Sequence, residues 1–439
     1  MGDEPTRTEQ HAITVTIERL AALGHGVGPG PGGRPVYVPF ALPGEVWRVP
    51  AAGGTSSPDG RGSLAVPADP IEIGERRPPQ CSHYGACGGC NLQHVPRPLY
   101  ANWKRSRILD ALAGEGIAAT VADCVPGPMQ SRRRAVFTAR RDRGPVTLGF
   151  FEQRTNSVVA LEDCAILVPA IASRLGDLGR IAAVICPSRG DLRLTVLQTT
   201  TGLDVSVDGV GRDPERAERK TLAEIALGAG IVRLVVDGYD VVRSGQPELQ
   251  IDGVAIVPPS RVFVQASAAA EAEMIAHVRA AAKGAKFAAD LFCGIGTFAV
   301  ALARTMRVSA YDADASATAA LETALRHAQG RKPVTAHVRD LFREPLSRKE
   351  LERFDVVVFD PPRAGAKAQA EMLAKSLVPR IIAVACDAAS FARDCRILVD
   401  GGYEIEQIQP IDQFVDSTHV EMVAVLARPS SVSRARRRR

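Results

Sequence analysis

The 439-residue chain has no uninterrupted apolar run long enough to cross a bilayer, which excludes a helical membrane protein. Its first residues, Met-Gly-Asp-Glu-Pro, are acidic and polar, so no secretory leader is expected and the cytoplasm is the expected compartment. Nine cysteines in that compartment point to metal or catalysis before disulfides. The Cys-x3-Cys-x2-Cys loop of radical enzymes is missing, and so is a second Cys-x2-Cys pair, the commoner zinc arrangement. What stands there instead is Cys81-x5-Cys87-x2-Cys90, with small residues that let the loop wrap a compact centre and Cys164 as the fourth thiolate. Such a set holds zinc or an iron–sulfur cluster, and one pair plus two single cysteines favours [4Fe–4S].

The net charge of +5 is mild, but the arginines are clustered. Arg132, Arg133 and Arg134, then Arg140-Arg141 and a terminal run ending at Arg439, suit a phosphate backbone. With 46% hydrophobic residues, the chain is long enough for two or three domains. Residues 1–10 read as a disordered lead. Alternating β-branched residues with glycine corners from His11 to Val49 then suggest a small closed barrel of the oligonucleotide-binding type, running to residue 67 with a Gly/Ser/Pro-rich loop over 51–62. Residues 97–115 read as an amphipathic helix, and residues 130–250 as short strands and turns. From about 256 to 428, helix and strand alternate, the pattern of a Rossmann-like α/β domain. The expected domains are therefore 1–67, a small mixed α/β unit over 68–255, and 256–428, with a basic tail over 429–439.

The α/β part is organised around Asp290-Leu-Phe-Cys-Gly-Ile-Gly-Thr297. A strand leads in, Gly294 and Gly296 let the backbone approach a ligand closely, and a helix follows. Strands are expected to end at Asp290, Tyr311, Val338, Phe359, Ala385 and near Ile408. Ligands collect at the carboxyl ends of such strands, which singles out Asp312, Asp340, Asp360 and Cys386. Asp312 stands at the spacing where a carboxylate accepts a ribose diol. Two prolines after Asp360 fix where its carboxylate points. An aromatic fourth residue there would suggest methylation of a base amine, but this chain has Arg363.

Asp360-Pro-Pro-Arg-x-Gly365, then Ile381-Ile382 and Cys386, resembles one signature of the RNA (uracil-5-)-methyltransferases. Ile411-Asp-Gln-Phe414, Ser417 and His419-Val-Glu421 resembles the other. The N-terminal order, with Pro39-Phe-Ala-Leu-Pro-Gly-Glu45, resembles a TRAM domain. The chain departs from the family pattern at Thr297, Ala383, Ala385, Asp387, Ser390, Val415 and Asp416. Barrel, four cysteines and methyltransferase domain together resemble the branch acting on 23S rRNA, since the tRNA branch is expected to lack barrel and cluster.

The resemblance implies methylation of uridine C5 in 23S rRNA, with S-adenosylmethionine and a [4Fe–4S] cluster as cofactors. It implies an RNA partner, neither DNA nor membrane, and a monomer. Cys386 would add to C6 and Glu421 would remove the C5 proton; the active thiolate implies a locally depressed Cys386 pKa. Cofactor contacts fall to Gln265, Phe292, Gly294, Gly296, Thr297, Asp312, Asp340 and Asp360, with Asp340 at the adenine. Phe263 would stack on the extruded base and Gln265 would reach both uracil and cofactor. The cluster would sit on Cys81, Cys87, Cys90 and Cys164. The rival readings are a tRNA uracil-5 methyltransferase and a non-catalytic RNA-binding iron–sulfur protein; a scaffold would need neither Cys386 nor Glu421.

Overall fold

The structure is a computed structural model that describes residues 12–50, 55–56, 63–64, 68–153 and 155–429. The expected lead, nearly all of the loop over 51–62 and all but the first residue of the basic tail over 429–439 lie outside the described residues. Among these residues, no helix is long and apolar enough to cross a membrane.

The β-rich N-terminal region forms two small sheets, consistent with a TRAM or oligonucleotide-binding barrel. Strands Ala12–Thr16, Val46–Pro50 and Asp69–Glu72 make one, and a five-stranded sheet built on Gly26–Pro29 and Pro35–Val38 makes the other. Alternation sends Val15, Val36, Val38, Trp47 and Val49 into a shared core. Gly28 is needed where the sheets meet, because a Cβ there would lie 2.0 Å from the Thr16 carbonyl oxygen.

The 97–115 expectation is matched by a helix over Arg97–Gly114. Its buried face carries Tyr100, Trp103, Ile108 and Leu112, and the last two join the core of the C-terminal α/β unit. Residues 130–250 differ from the expected short strands. They form a seven-stranded sheet with strands as long as Arg134–Arg141 and Asp191–Gln198. Two helices, Leu175–Ile185 and Arg216–Gly228, pack on it. Leu175, Leu178, Ile181, Ala182 and Ile185 are buried at helical spacing, a signal that the intervening Gly176 and Gly179 obscure.

The C-terminal sheet has seven strands in the order Val334–Val338, Arg307–Asp312, Phe287–Leu291, Val356–Phe359, Arg380–Ala385, Glu421–Ala427, Glu404–Ile411. The first five are parallel, and Glu421–Ala427 is antiparallel to both neighbours. Separate cores cover the two faces, the doubly wound arrangement. Strand order reverses beside Phe287–Leu291, so a crevice opens at the carboxyl ends there. The observed strand ends at Leu291, Asp312, Val338, Phe359, Ala385 and Ile411 fall within a few residues of those expected.

Candidate active site

The glycine turn runs through left-handed backbone that Gly294 and Gly296 allow and that strains Phe292. Phe292, Gly294 and Gly296 have φ of 62°, 52° and 93°. A Cβ on Gly296 would lie 2.4 Å from Leu321, so the turn packs there without room for a side chain. Gly294 instead faces open space and donates its N–H to Asp312 Oδ2 at 2.8 Å. Asp312 Oδ1 accepts from the Asp314 N–H, which fixes the carboxylate from both sides. Below the turn, the fully buried Asp290 accepts from the Ala299 N–H at 2.7 Å, and burial holds its pKa well above the ordinary carboxylate range.

A cavity of about 510 Å³ runs from this turn to the ends of the next strands. Phe292, Gly294, Thr297, Asp312 and Asp340 line one end. Gln265, Asp360, Cys386, Glu421 and Phe263 line the other, with Arg132 and Arg134 at the wall. Phe263 is 63% exposed, and the Arg134 guanidinium lies 5.9 Å from its ring centre. Arg132 is likewise 5.9 Å from the ring of Phe414. Arg133 departs from the expected substrate contact: just ahead of the strand Arg134–Arg141 it turns inward, where it pairs with buried Glu271 at 2.9 Å and donates to the Gln265 carbonyl. Gly296 shapes the turn without lining the cavity.

Cys386 follows the strand Arg380–Ala385 and precedes Asp387, which caps the helix Ala388–Asp400. Its thiol is pushed up to about 12, chiefly by burial and then by the charges of Glu421 and Asp360; Arg363 pulls the other way. The expected depression is not found in the free protein, because burial and the carboxyls of Glu421, Asp360 and Asp387 outweigh the one nearby guanidinium. Burial also raises Asp360 and Glu421, and Asp360 raises Glu421 further. The two share one region of low dielectric, where both cannot ionise cheaply. His419 accepts from Arg363 at 2.9 Å; burial and the neighbouring cations hold its pKa near 4, so it is neutral.

Buried amides join these carboxyls. Gln413 Nε2 donates to Glu421 Oε2 and to Gln265 Oε1, each at 2.9 Å, and Gln265 Nε2 donates to Asp360 Oδ2 at 3.0 Å. The loop carrying Gln413 is held from the N-terminal half. Lys104, without solvent exposure, donates to Asp412 at 2.9 Å and to the carbonyls of Phe414 and His419. Asp416 accepts from Arg77 and Arg97, while its carbonyl accepts from the N–H groups of Asn91 and Leu92. Gln413, Phe414 and Phe342 were given no role from sequence. Phe342 stands two residues past Asp340 with its ring 5.3 Å from that of Phe292.

Cys81, Cys87, Cys90 and Cys164 border one small pocket together with His83 and Gln93. None is in a disulfide, and the Gly89 N–H donates to Cys87 Sγ at 3.4 Å. Among the described residues, the tight set of metal-ligating atoms is Cys81, His83 and Asp163, all within 4.8 Å of one another.

A family model described as tRNA (Uracil-5-)-methyltransferase matches residues 249–429. An RNA methyltransferase of Rhizobium meliloti, itself uncharacterised, is 43% identical over 421 residues, spanning 94% of this chain and 99% of its own. This chain belongs to the RNA (uracil-5-)-methyltransferase family. A counterpart from Caulobacter vibrioides is 38% identical over 94% of this chain and 99% of its own. The 23S rRNA (uracil(1939)-C(5))-methyltransferase of Chromohalobacter salexigens is 29% identical over 99% of this chain and 93% of its own. The fold is shared with Pyrococcus abyssi tRNA (uracil-54, C5)-methyltransferase in complex with S-adenosyl-L-homocysteine, at a TM-score of 0.73 and 21% identity over 94% of this chain and 99% of that one. The full-length architecture therefore also occurs in a tRNA enzyme, contrary to the expectation that only the rRNA branch carries it. A uracil-5 methyltransferase uses S-adenosylmethionine and acts on RNA, and doubly wound sheets bind ligands at the reversal of strand order, where this cavity lies.

Proposed function

We propose that this chain methylates C5 of uridine in 23S rRNA through a covalent adduct between Cys386 and C6, with Glu421 as the base. The observation that carries this reading is the single cavity shared by Cys386, Glu421 and the glycine turn. C5 of uracil is a poor nucleophile until the Cys386 thiolate adds to C6 and places electron density on C5. S-adenosylmethionine, when bound, supplies the methyl group and a sulfonium charge. Phe292, Gly294, Thr297, Asp312 and Asp340 are the residues to hold it, with Gln265 and Asp360 between it and the base. Glu421 then takes the C5 proton; the electrons of that C–H bond restore the 5,6 double bond, and the C6–S bond breaks to return the thiolate. Phe263, exposed at the mouth beside Arg134, would stack on a uridine flipped out of folded RNA.

The assignment to 23S rRNA is supported by the full-length relative from Chromohalobacter salexigens. The fold shared with a tRNA enzyme makes tRNA the second reading. Mapping 5-methyluridine by mass spectrometry in rRNA and tRNA from a deletion strain separates them: a loss confined to tRNA would refute the first. Glu421→Gln should leave a methylated RNA–protein adduct that resists denaturation, and Cys386→Ala should form none. Normal turnover by Glu421→Gln would remove Glu421 as the base.

We further propose that Cys81, Cys87, Cys90 and Cys164, which border one small pocket, hold a [4Fe–4S] cluster, and that the region up to residue 67 acts as an RNA-binding TRAM barrel. In a tetrathiolate zinc site with bonds of about 2.3 Å, sulfurs sit roughly 3.8 Å apart. Among the described residues, the ligating atoms within 4.8 Å of one another are those of Cys81, His83 and Asp163, the zinc-sized alternative. Such a cluster would hold the loop around Gly88-Gly89 to the strand preceding Cys164. Protein purified without oxygen should contain roughly four irons per chain. Stoichiometric zinc under iron-replete conditions, on Cys81 with His83 and Asp163, would overturn this assignment.

A further inference from the structure

We infer that Gln413 is a positioning residue for the reaction, the one group that sets both the catalytic base and the amide that faces the base-binding end of the cavity. The inference rests on Glu421 being the base. Gln413 is only 4% exposed, and its Nε2 has two hydrogens and two acceptors: Glu421 Oε2 and Gln265 Oε1, each 2.9 Å away. Turned the other way, its carbonyl would face two oxygens, so the orientation of the amide is dictated by its partners. Its Oε1 has no hydrogen-bond partner, so the whole bonding of the side chain is through this fork.

Two consequences follow for the reacting groups. With one oxygen of Glu421 held by Gln413, the other is left to meet the C5 proton. With Gln265 Oε1 receiving the Gln413 N–H, Gln265 Nε2 is turned to Asp360, which fixes which end of that amide is donor and which is acceptor. Each end of Gln265 keeps one unused hydrogen-bonding position, a donor and an acceptor in fixed order. The imide edge of uracil presents the complementary pair, an N–H beside a carbonyl. The corresponding edge of cytosine presents them reversed, so a fixed Gln265 discriminates where a freely flipping one would not.

The groups facing Glu421 are Asp360, which disfavours its charge, Lys104 and Arg363, which favour it, and Cys386. Donation from Gln413 also favours the charged form. Gln413→Met keeps the length and removes the donor. In the full-length protein, assayed on an unmodified 23S rRNA transcript and on tRNA from the deletion strain, it should lower kcat about ten- to a hundredfold, by analogy with the loss of a residue that orients a metal ligand. The acid limb of the pH–kcat profile should move to higher pH, because the base loses a bond that stabilises its ionised form. RNA adduct should accumulate, because addition precedes the step that Gln413 supports. The Kd for S-adenosylmethionine should stay within about twofold, which also reports that the variant is folded. Gln413→Asn, which keeps an amide too short to fork, should show the same displacement if the methionine does not pack. A wild-type rate and profile would overturn the inference. So would a lower rate with an unmoved limb and no adduct, since that is how a merely structural residue behaves. Glu421→Gln run alongside separates the two failures: if it turns over normally, the base assignment falls first, and if it traps adduct while Gln413→Met does not, only the present inference falls.

Discussion

Cys386, the proposed nucleophile, is held as the thiol rather than as the thiolate that attack on C6 would need. Burial and the carboxyls of Glu421, Asp360 and Asp387 push the thiol up to about 12, and Arg363 alone opposes them. Removing a negative charge should therefore make the thiol more acidic. Glu421→Gln is expected to speed alkylation of Cys386 by iodoacetamide at pH 8, and Arg363→Ala to slow it, read by mass spectrometry of the Cys386 peptide. Each unit of pKa is worth about tenfold in thiolate well below the midpoint. Alkylation of Glu421→Gln at or below the wild-type rate would show that Glu421 does not act on the thiol. The sign follows from the direction of the shift: for a thiol raised by nearby anions, reactivity grows with pH across the neutral range. Cys386 and Glu421 were legible as residues because each closes a signature or a strand. Their electrostatics were not, because a depressed thiol was inferred from chemistry while Asp360 and Glu421 reach it from other strands. Gln413 stood inside a recognised motif, yet its partner Gln265 is 148 residues away in sequence, beyond any local pattern.

The helix Arg97–Gly114 holds the loop between Asp412 and the proposed base Glu421 from outside the α/β unit. Lys104 is buried against Asp412, and Tyr100 donates to the same carboxylate at 3.0 Å while accepting the Asp416 N–H at 2.8 Å. Removing one partner of a buried pair leaves an uncompensated charge and costs about 3–5 kcal/mol. Lys104→Met should lose stability of that order by denaturant titration, and Lys104→Met with Asp412→Asn should recover part of it. Equal stability of wild type and Lys104→Met would mean that the pair does not hold the loop. The amphipathic helix itself was readable from Tyr100, Trp103, Ile108 and Leu112, and the strands of the α/β unit from runs such as Val356–Phe359. The helix Leu175–Ile185 was not, since two glycines weaken the local propensity that tertiary burial overrides.

For the molecule as a whole, the N-terminal sheets and the clustered arginines are expected to supply RNA affinity that does not depend on sequence. A protein lacking residues 1–67 should bind rRNA more weakly and S-adenosylmethionine unchanged. Its affinity should also fall less steeply with salt, because fewer phosphates are neutralised. Equal salt slopes would show that this region does not touch the backbone. Arg133 is excluded from that account by its buried pairing with Glu271, whereas Arg132 and Arg134 remain at the cavity wall.

The clamp on the loop from Asp412 to Glu421 also sets an order of events during folding. Its bonds join residues 339, 312 and 308 positions apart, from Arg77 to Asp416, Tyr100 to Asp412 and Lys104 to Asp412. Contacts that close such long loops bear the largest entropic cost and form late. The glycine turn is bonded to its own neighbours, Asp312 only 18 positions away and Ala299 to Asp290 only 9. On refolding from denaturant, the capacity to bind S-adenosylmethionine should return in an earlier phase than methyl transfer. A single phase for both would show that the clamp closes no later than the turn.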